Sequence, residues 1–243
     1  MDKLKEFKFE EGRIIAGKYR IVEKLGAGWE GEVYKIEELY TGIERAAKFF
    51  FPQRNVKNKV ASLYAKKLHK LSTCPLVIHY HNQEKFWHRN FRITCLVSEY
   101  VEGEILSSYV NRQPGRRMGV FQALKLLHQL VEGLEQMHRL DEYHGDIHSD
   151  NVIVRRYGLG FELKLLDMYD WRDSKSANKA EDICKAIRLF YDCIGGRKYY
   201  QKHPQEVKDI CLGLRRDLIL KKFRTATQLR SHIENIEWES TGY

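Results

Sequence analysis

One short stretch, Leu25-Gly26-Ala27-Gly28-Trp29-Glu30-Gly31-Glu32-Val33, limits what this chain can fold into more than any other. It has the form G-x-G-x-x-G-x-V and joins two segments of strand pattern. Residues 19–25 run into it, and residues 31–37 follow with Val33 and Lys35 alternating against Tyr34 and Ile36. Glycines at these places let a backbone approach phosphate oxygens closely with its N–H groups turned towards them. A dinucleotide-binding loop of the same form opens a helix, whereas Gly31 here opens a strand. An ordinary glycine hairpin fits the pattern equally well in isolation, so the rest of the chain decides.

Tyr40-Thr41-Gly42 reads as a hairpin turn, and residues 43–51 as a third strand that Pro52 ends. Lys48 is a single cation inside that apolar strand. Burying it is costly without a partner, so it either faces an anion such as an ATP phosphate or snorkels to water. Val56, Val60, Leu63, Leu68 and Leu71 recur at helical spacing and predict a helix over 57–72, with Lys59, Lys66, Lys67 and Lys70 on its exposed face. Strands are expected at 76–81 and 91–100. The chain is then mostly helical. Residues 120–139 carry Phe121, Leu124, Leu127, Leu130, Val131 and Leu134 on one stripe, and further helices are expected at 180–194, 205–214 and 225–236, with short strands at 151–154 and 163–166. No Pro/Gly/Ser linker separates the two halves, which reads as two lobes of one unit.

Two further motifs carry chemistry. His144-Gly145-Asp146-Ile147-His148-Ser149-Asp150-Asn151 precedes an apolar strand, and Leu163-Lys164-Leu165-Leu166-Asp167-Met168-Tyr169 ends one. Carboxylate, amide and carboxylate oxygens at these spacings can hold Mg²⁺ on a nucleotide and orient an acceptor hydroxyl. Each piece alone is unremarkable. Glycine loop, strand lysine, H-x-D-x-x-x-x-N and strand-terminal Asp in that order are specific together, and the chain resembles the protein-kinase family, most of all the bacterial eukaryotic-like Ser/Thr kinases. The lead-in from Gly12 to Val22 is similar to the start of many such domains. Val97-Ser98-Glu99-Tyr100-Val101-Glu102-Gly103 looks like the hinge between lobes, Glu181-Asp182-Ile183 like the buried Asp at the start of a C-lobe helix, and residues 223–229 like the final-helix signature.

The resemblance covers roughly residues 12–238. It implies an α+β, two-lobed protein-kinase-like fold: an N-lobe of about 12–101 with a five-stranded antiparallel sheet and one helix, and a mainly helical C-lobe of about 102–238. That is one kinase-like domain over 1–238, with 239–243 as a tail. It also implies ATP and Mg²⁺ as cofactors and a set of roles. Gly26, Gly28 and Gly31 cover the phosphates, and Lys48 holds them. Asp146 accepts or orients the hydroxyl proton, and Asn151 and Asp167 bind the metal. Leu25, Val33, Ala46 and Ile153 sandwich the adenine, backbone groups of Glu99 and Val101 bond its edge, and Ser98 is a small gatekeeper.

Several residues depart from the family pattern. The family pairs its strand lysine with a helix Glu, and here Tyr64 or Ala65 stands at that place. The partner of Lys48 must come from Asp167, Glu30 or Glu32. Gly145 replaces the Arg of the catalytic loop. His148 stands where Ser/Thr kinases carry a Lys, and the string H-G-D-x-H-x-x-N is more like that of aminoglycoside and other small-molecule phosphotransferases. Tyr169 follows Asp167-Met168 where D-F-G is usual, and is expected to fill an apolar slot. Only 15 positions separate Asp167 from Asp182, with no A-P-E string, so little platform for a peptide is expected. Residues 170–176 read as a polar exposed loop, with Ser174 and Ser176 as ordinary loop serines in preference to sites of self-phosphorylation.

Charge and cysteine content narrow the setting. Net charge is +9, and no acidic residue occurs from Arg45 to Gln83 although eight Lys/Arg do. That run, centred on the helix from Lys57 to Lys70, is a solvated face or a polyanion contact. The five cysteines are scattered and never in a C-x-x-C pair, which favours buried thiols in a reducing, cytoplasmic setting over disulfides or zinc. No apolar run is long enough to span a membrane. The leading reading is a serine/threonine-protein-kinase-like, ATP- and magnesium-dependent transferase. A nucleotide-binding pseudokinase that docks a partner, and a small-molecule kinase, are the alternatives.

Overall fold

The computed structural model describes residues 3–158, 160–168 and 174–237. The chain divides into two compact units. One takes the residues up to Thr73 together with Ile78–Val101. The other takes Cys74–Val77 together with the residues from Glu102 onward.

The first unit is built on an antiparallel sheet of strands β1 (Ile14–Ile15), β2 (Tyr19–Ala27), β3 (Gly31–Glu38), β4 (Glu44–Phe50), β5 (Tyr80–His88) and β6 (Phe91–Glu99), in the order β1-β2-β3-β4-β6-β5. The two-residue β1 makes six strands where the sequence predicts five. Side chains alternate across a sheet with period two. Tyr34, Ile36, Ala47, Phe49, Ile93, Cys95 and Val97 therefore share one face and form its core. Leu4, Phe7 and Phe9 lie in the same core, so the body of this unit starts before residue 12. Phe9 meets Phe49 edge to face with ring centroids 4.9 Å apart, and Phe7 stacks on Phe51 at 5.2 Å. On the opposite face, Phe50 and Leu96 pack against Ala61 of the helix α1 (Lys59–Lys70).

Two elements differ from the sequence expectation. Lys57 and Asn58 have φ of 52° and 61°, so the helix begins at Lys59, and Val56 and Leu63 are exposed rather than on its buried stripe. The expected strand at 76–81 runs instead over Tyr80–His88. Leu76 and Val77 are apolar because they pack in the second unit: the Leu165 N–H donates to the Leu76 carbonyl (2.7 Å), and Val77 bridges to Leu165. The polar string of β5 is tolerated because β5 is an edge strand.

The second unit has a three-stranded sheet of β7 (Glu104–Ile105), β8 (Val152–Tyr157) and β9 (Gly160–Leu165), in that order. Its helices are α2 (Leu106–Asn111), α3 (Val120–Arg139), α4 (Lys175–Cys193), α5 (Gly196–Tyr199), α6 (Gln205–Cys211), α7 (Arg216–Lys222) and α8 (Ala226–Glu234). Helix α3 has the predicted bounds and buries Leu124, Leu127, Leu130, Val131 and Leu134, while Phe121 is exposed. Its Glu135 is buried and accepts bonds from Thr227 and Arg230 of α8. No helix among the described residues is long and apolar enough to cross a membrane.

All five cysteines are free thiols. Burial pushes Cys95, Cys193 and Cys211 up to about 12 and Cys184 up to about 11. A thiol reagent at pH 8 should leave the folded chain largely unmodified and titrate every cysteine once denaturant is added. Rapid reaction of the native chain would contradict this packing.

Candidate active site

Strand register gathers the first unit's candidate residues on the face that also carries α1. Directly opposed residues in an antiparallel pair point to the same side. Lys48 pairs with Val33 on β3 and with Leu96 on β6, Gly31 pairs with Phe50, and Ala46 pairs with Ser98. Val33, Ala46, Lys48 and Ser98 therefore line one surface. Ser98 is buried, and Leu25 is 43% exposed at the lip of the glycine turn. At the end of β6, the Glu99 N–H donates to the His79 carbonyl (2.9 Å), and the Glu99 carboxylate accepts from the His79 N–H (2.9 Å). Val101 is the last residue of this unit. Ile153 lies on β8 of the second unit, opposite Ile105 and Lys164.

The three glycines do different jobs. The Gly28 N–H donates to the Gly31 carbonyl (2.8 Å) and closes the turn. A Cβ on Gly31 would lie 1.8 Å from the Phe49 carbonyl oxygen, so glycine is required there by the approach of β4. A Cβ on Gly26 or Gly28 would meet nothing within 4 Å, leaving open space in front of the backbone, as a phosphate cradle needs.

Lys48 donates to Glu30 Oε2 at 3.0 Å, and its ammonium lies 5.0 Å from the Tyr64 ring centroid and 5.6 Å from that of Phe50. Of the three carboxylates expected as its partner, Glu30 of the glycine turn makes this bond. Glu32 is used elsewhere. It is 1% exposed and accepts from Lys24, from the Tyr34 hydroxyl and from the Phe7 N–H. Burial, with Glu32 beside it, raises the Tyr34 phenol well above its ordinary value. Tyr64, one of the two residues expected where the family has a helix Glu, offers Lys48 a π face instead of a carboxylate.

In the second unit a buried carboxylate organises the candidate catalytic loop. Asp182 is fully buried and accepts from the His144 N–H (2.7 Å), the Gly145 N–H (2.8 Å) and His138 Nε2 (3.2 Å). Sequence reasoning puts Asp182 at the start of a helix. It lies inside α4, which begins at Lys175 under a Ser174 cap. Lys175 and Ser176 are therefore helical rather than loop. Residues 170–173 of that expected loop, and Tyr169 with its expected apolar slot, lie outside the described residues.

His144 Nε2 donates to the Leu166 carbonyl (2.8 Å), and its Nδ1 accepts the Asp146 N–H (3.1 Å), which fixes a neutral ring. Gly145 has φ of 86°, which favours glycine where the family carries Arg. Asn151 Nδ2 donates to the Asp146 carbonyl (2.9 Å) and approaches its carboxylate (3.4 Å), turning the amide oxygen away as a candidate ligand. The Leu166 N–H donates to the Asn151 carbonyl (2.8 Å), so the residue that precedes Asp167 is pinned to the same loop. Asp167 itself has φ of 49°, a sparsely populated conformation for a residue with a side chain. An amide oxygen and an exposed carboxylate suit Mg²⁺, which takes one or two protein oxygens and completes its shell with phosphate and water. Sequence reasoning missed Lys185. Its Nζ donates to the Gly145 carbonyl (2.7 Å) and to Asp146 Oδ1 (3.3 Å). Its spacing of three from Asp182 on one helix was the available signal.

Known proteins resemble this chain in sequence and in fold. A family model described as protein kinase domain matches residues 19–189. The serine/threonine-protein kinase pkn2 of Myxococcus xanthus is 30% identical over 156 residues, covering 63% of this chain and 18% of the relative. A probable serine/threonine-protein kinase of Dictyostelium discoideum is 26% identical over 146 residues, covering 60% of this chain and 28% of the relative. The chain thus spans under a third of either relative's length. The crystal structure of the Mycobacterium tuberculosis PknI kinase domain superposes with a TM-score of 0.65 at 14% identity, over 93% of this chain and 98% of that one.

The glycine assignments separate by mutation. Gly31→Ala should lower Tm by about 6–12 °C, the shift expected for an overpacking cost of about 3 kcal/mol. Gly28→Ala should leave Tm nearly unchanged and weaken nucleotide binding. Equal thermal melts for the two variants would contradict the split.

Proposed function

The chain belongs to the protein kinase domain family, and on that premise we propose that it transfers the γ-phosphoryl group of ATP, with Mg²⁺, to a hydroxyl, most naturally a Ser or Thr of a protein. The observation that carries this reading is the Asp146 carboxylate. It is partly exposed, bracketed by Asn151 and Lys185, and borne on a loop whose N–H groups are held by buried Asp182.

Phosphoryl transfer passes through a loose transition state, so positioning and charge neutralisation supply most of the catalysis. The N–H groups around Gly26 and Gly28 would face the phosphates, and Lys48 would exchange Glu30 for their oxygens. Val33, Ala46, Leu25 and Ile153 would hold the adenine, with the Glu99 and Val101 backbone at its edge and Ser98 leaving room behind it. Magnesium held by Asn151 and Asp167 would neutralise charge on the transferring group. Asp146 would orient the acceptor hydroxyl and take its proton.

Tyr64 in place of the helix Glu favours a second reading, a nucleotide-binding module without turnover. His148, with Nε2 3.5 Å from Asp146 Oδ2, favours a small-molecule acceptor. Lys59, Lys66 and Lys70 are exposed on α1 and keep a polyanion surface available.

Purified protein with Mg²⁺ and γ-labelled ATP should label a generic Ser/Thr acceptor or itself. Lys48→Ala and Asp146→Ala should each lose the label, while the Asp146 variant keeps nucleotide-dependent thermal stabilisation. Stabilisation of wild type without transfer to protein or small-molecule hydroxyls would leave the binding-module reading.

A further inference from the structure

Helix α4 approaches the catalytic loop along one face. Asp182 and Lys185 stand three residues apart, so they lie one above the other on that face. Asp182 takes the N–H groups of His144 and Gly145, and Lys185 takes the next two acceptors, the Gly145 carbonyl at 2.7 Å and Asp146 Oδ1 at 3.3 Å. One helix face thus binds three successive loop residues.

The loop itself lacks the cation that the kinase pattern places two residues after the aspartate. His148 is there instead. Its Nε2 is 3.5 Å from Asp146 Oδ2, its Nδ1 accepts the Asp150 N–H (3.2 Å), and its side chain is 45% exposed. An imidazole in that place supplies no fixed charge. The Lys185 side chain is 25% exposed, against 39% for Asp146, and its ammonium bridges the carboxylate to the loop backbone. A charge-assisted bond of this kind fixes one orientation of the carboxylate.

We propose that Lys185 is the positioning residue for Asp146, an ammonium supplied from α4 where the catalytic loop itself carries His148. It acts through Asp146 and rests on the phosphotransferase reading above. Because the reaction needs an oriented hydroxyl more than a strong base, a cation against the aspartate favours the rate. Losing it lets the carboxylate turn while the nucleotide-holding residues stay in place.

The test is steady-state kinetics of the full chain with Mg-ATP, with Tm recorded for every variant. Lys185→Met, with Lys185→Gln run beside it, should lower kcat by about 10- to 100-fold with little change in the KM for ATP. Adding His148→Lys in the same background should restore a substantial part of the loss, because it returns a cation to the side of Asp146. A variant that merely failed to fold would gain nothing from that second change. Retention of kcat within threefold, or a loss that lysine at 148 does not recover, overturns the proposal while leaving an active wild type as a phosphotransferase. An inactive wild type overturns both.

Discussion

A lysine ammonium set in an apolar strand must have an anion near it, and in this protein that requirement shapes the first unit. Lys48 projects from β4 onto the α1 face of the sheet, 14% exposed, and Glu30 of the glycine turn supplies the counter-charge. The turn is therefore tied to β4 twice, by this ion pair and by the fit of Gly31 against the Phe49 carbonyl. Helix α1 carries no carboxylate for this pairing, and it presents a largely basic exposed face and a tyrosine beside Lys48. On the proposed reading, anionic phosphate and Glu30 would compete for one ammonium, so nucleotide binding would exchange partners rather than fill an empty site.

The second unit solves the matching problem for Asp146, the proposed catalytic aspartate. A carboxylate that must stay half exposed for a substrate needs its backbone held from behind. Asp182 does this with fully buried oxygens that satisfy two loop N–H groups. Removing it would leave those donors buried and unpaired, at a cost of about 1–3 kcal/mol each. The same helix then places Lys185 against Asp146. Helix α4 is in this sense the rear wall of the site.

Much of this was legible in the sequence because it rests on local patterns. The glycine turn, β2 to β4 and the bounds of α3 follow from period-two and period-3.6 alternation. Asp146, Asn151 and Asp167 follow from fixed spacing. What the sequence concealed depends on distant packing. Leu76 and Val77 read as a strand because burial and strand pairing demand the same residue types, and β5 was hidden because an edge strand may be polar on its outer side. Leu4, Phe7 and Phe9 join the sheet core from a segment with no periodic signal. The choice of Glu30 over Glu32 turns on Glu30 standing in the glycine turn ahead of β3 while Glu32 is drawn into the core beside Tyr34 and Phe7, and the tie between Lys185 and Asp146 on a contact spanning 39 residues.

The most direct measurement is a structure of the protein with Mg²⁺ and a non-hydrolysable ATP analogue. The account predicts that Lys48 Nζ leaves Glu30 for a phosphate oxygen, that Gly26 and Gly28 lie over the phosphates, and that the metal sits about 2.0–2.1 Å from oxygens of Asn151 and Asp167. Lys48 still bonded to Glu30, with no nucleotide against the glycine turn, would contradict it.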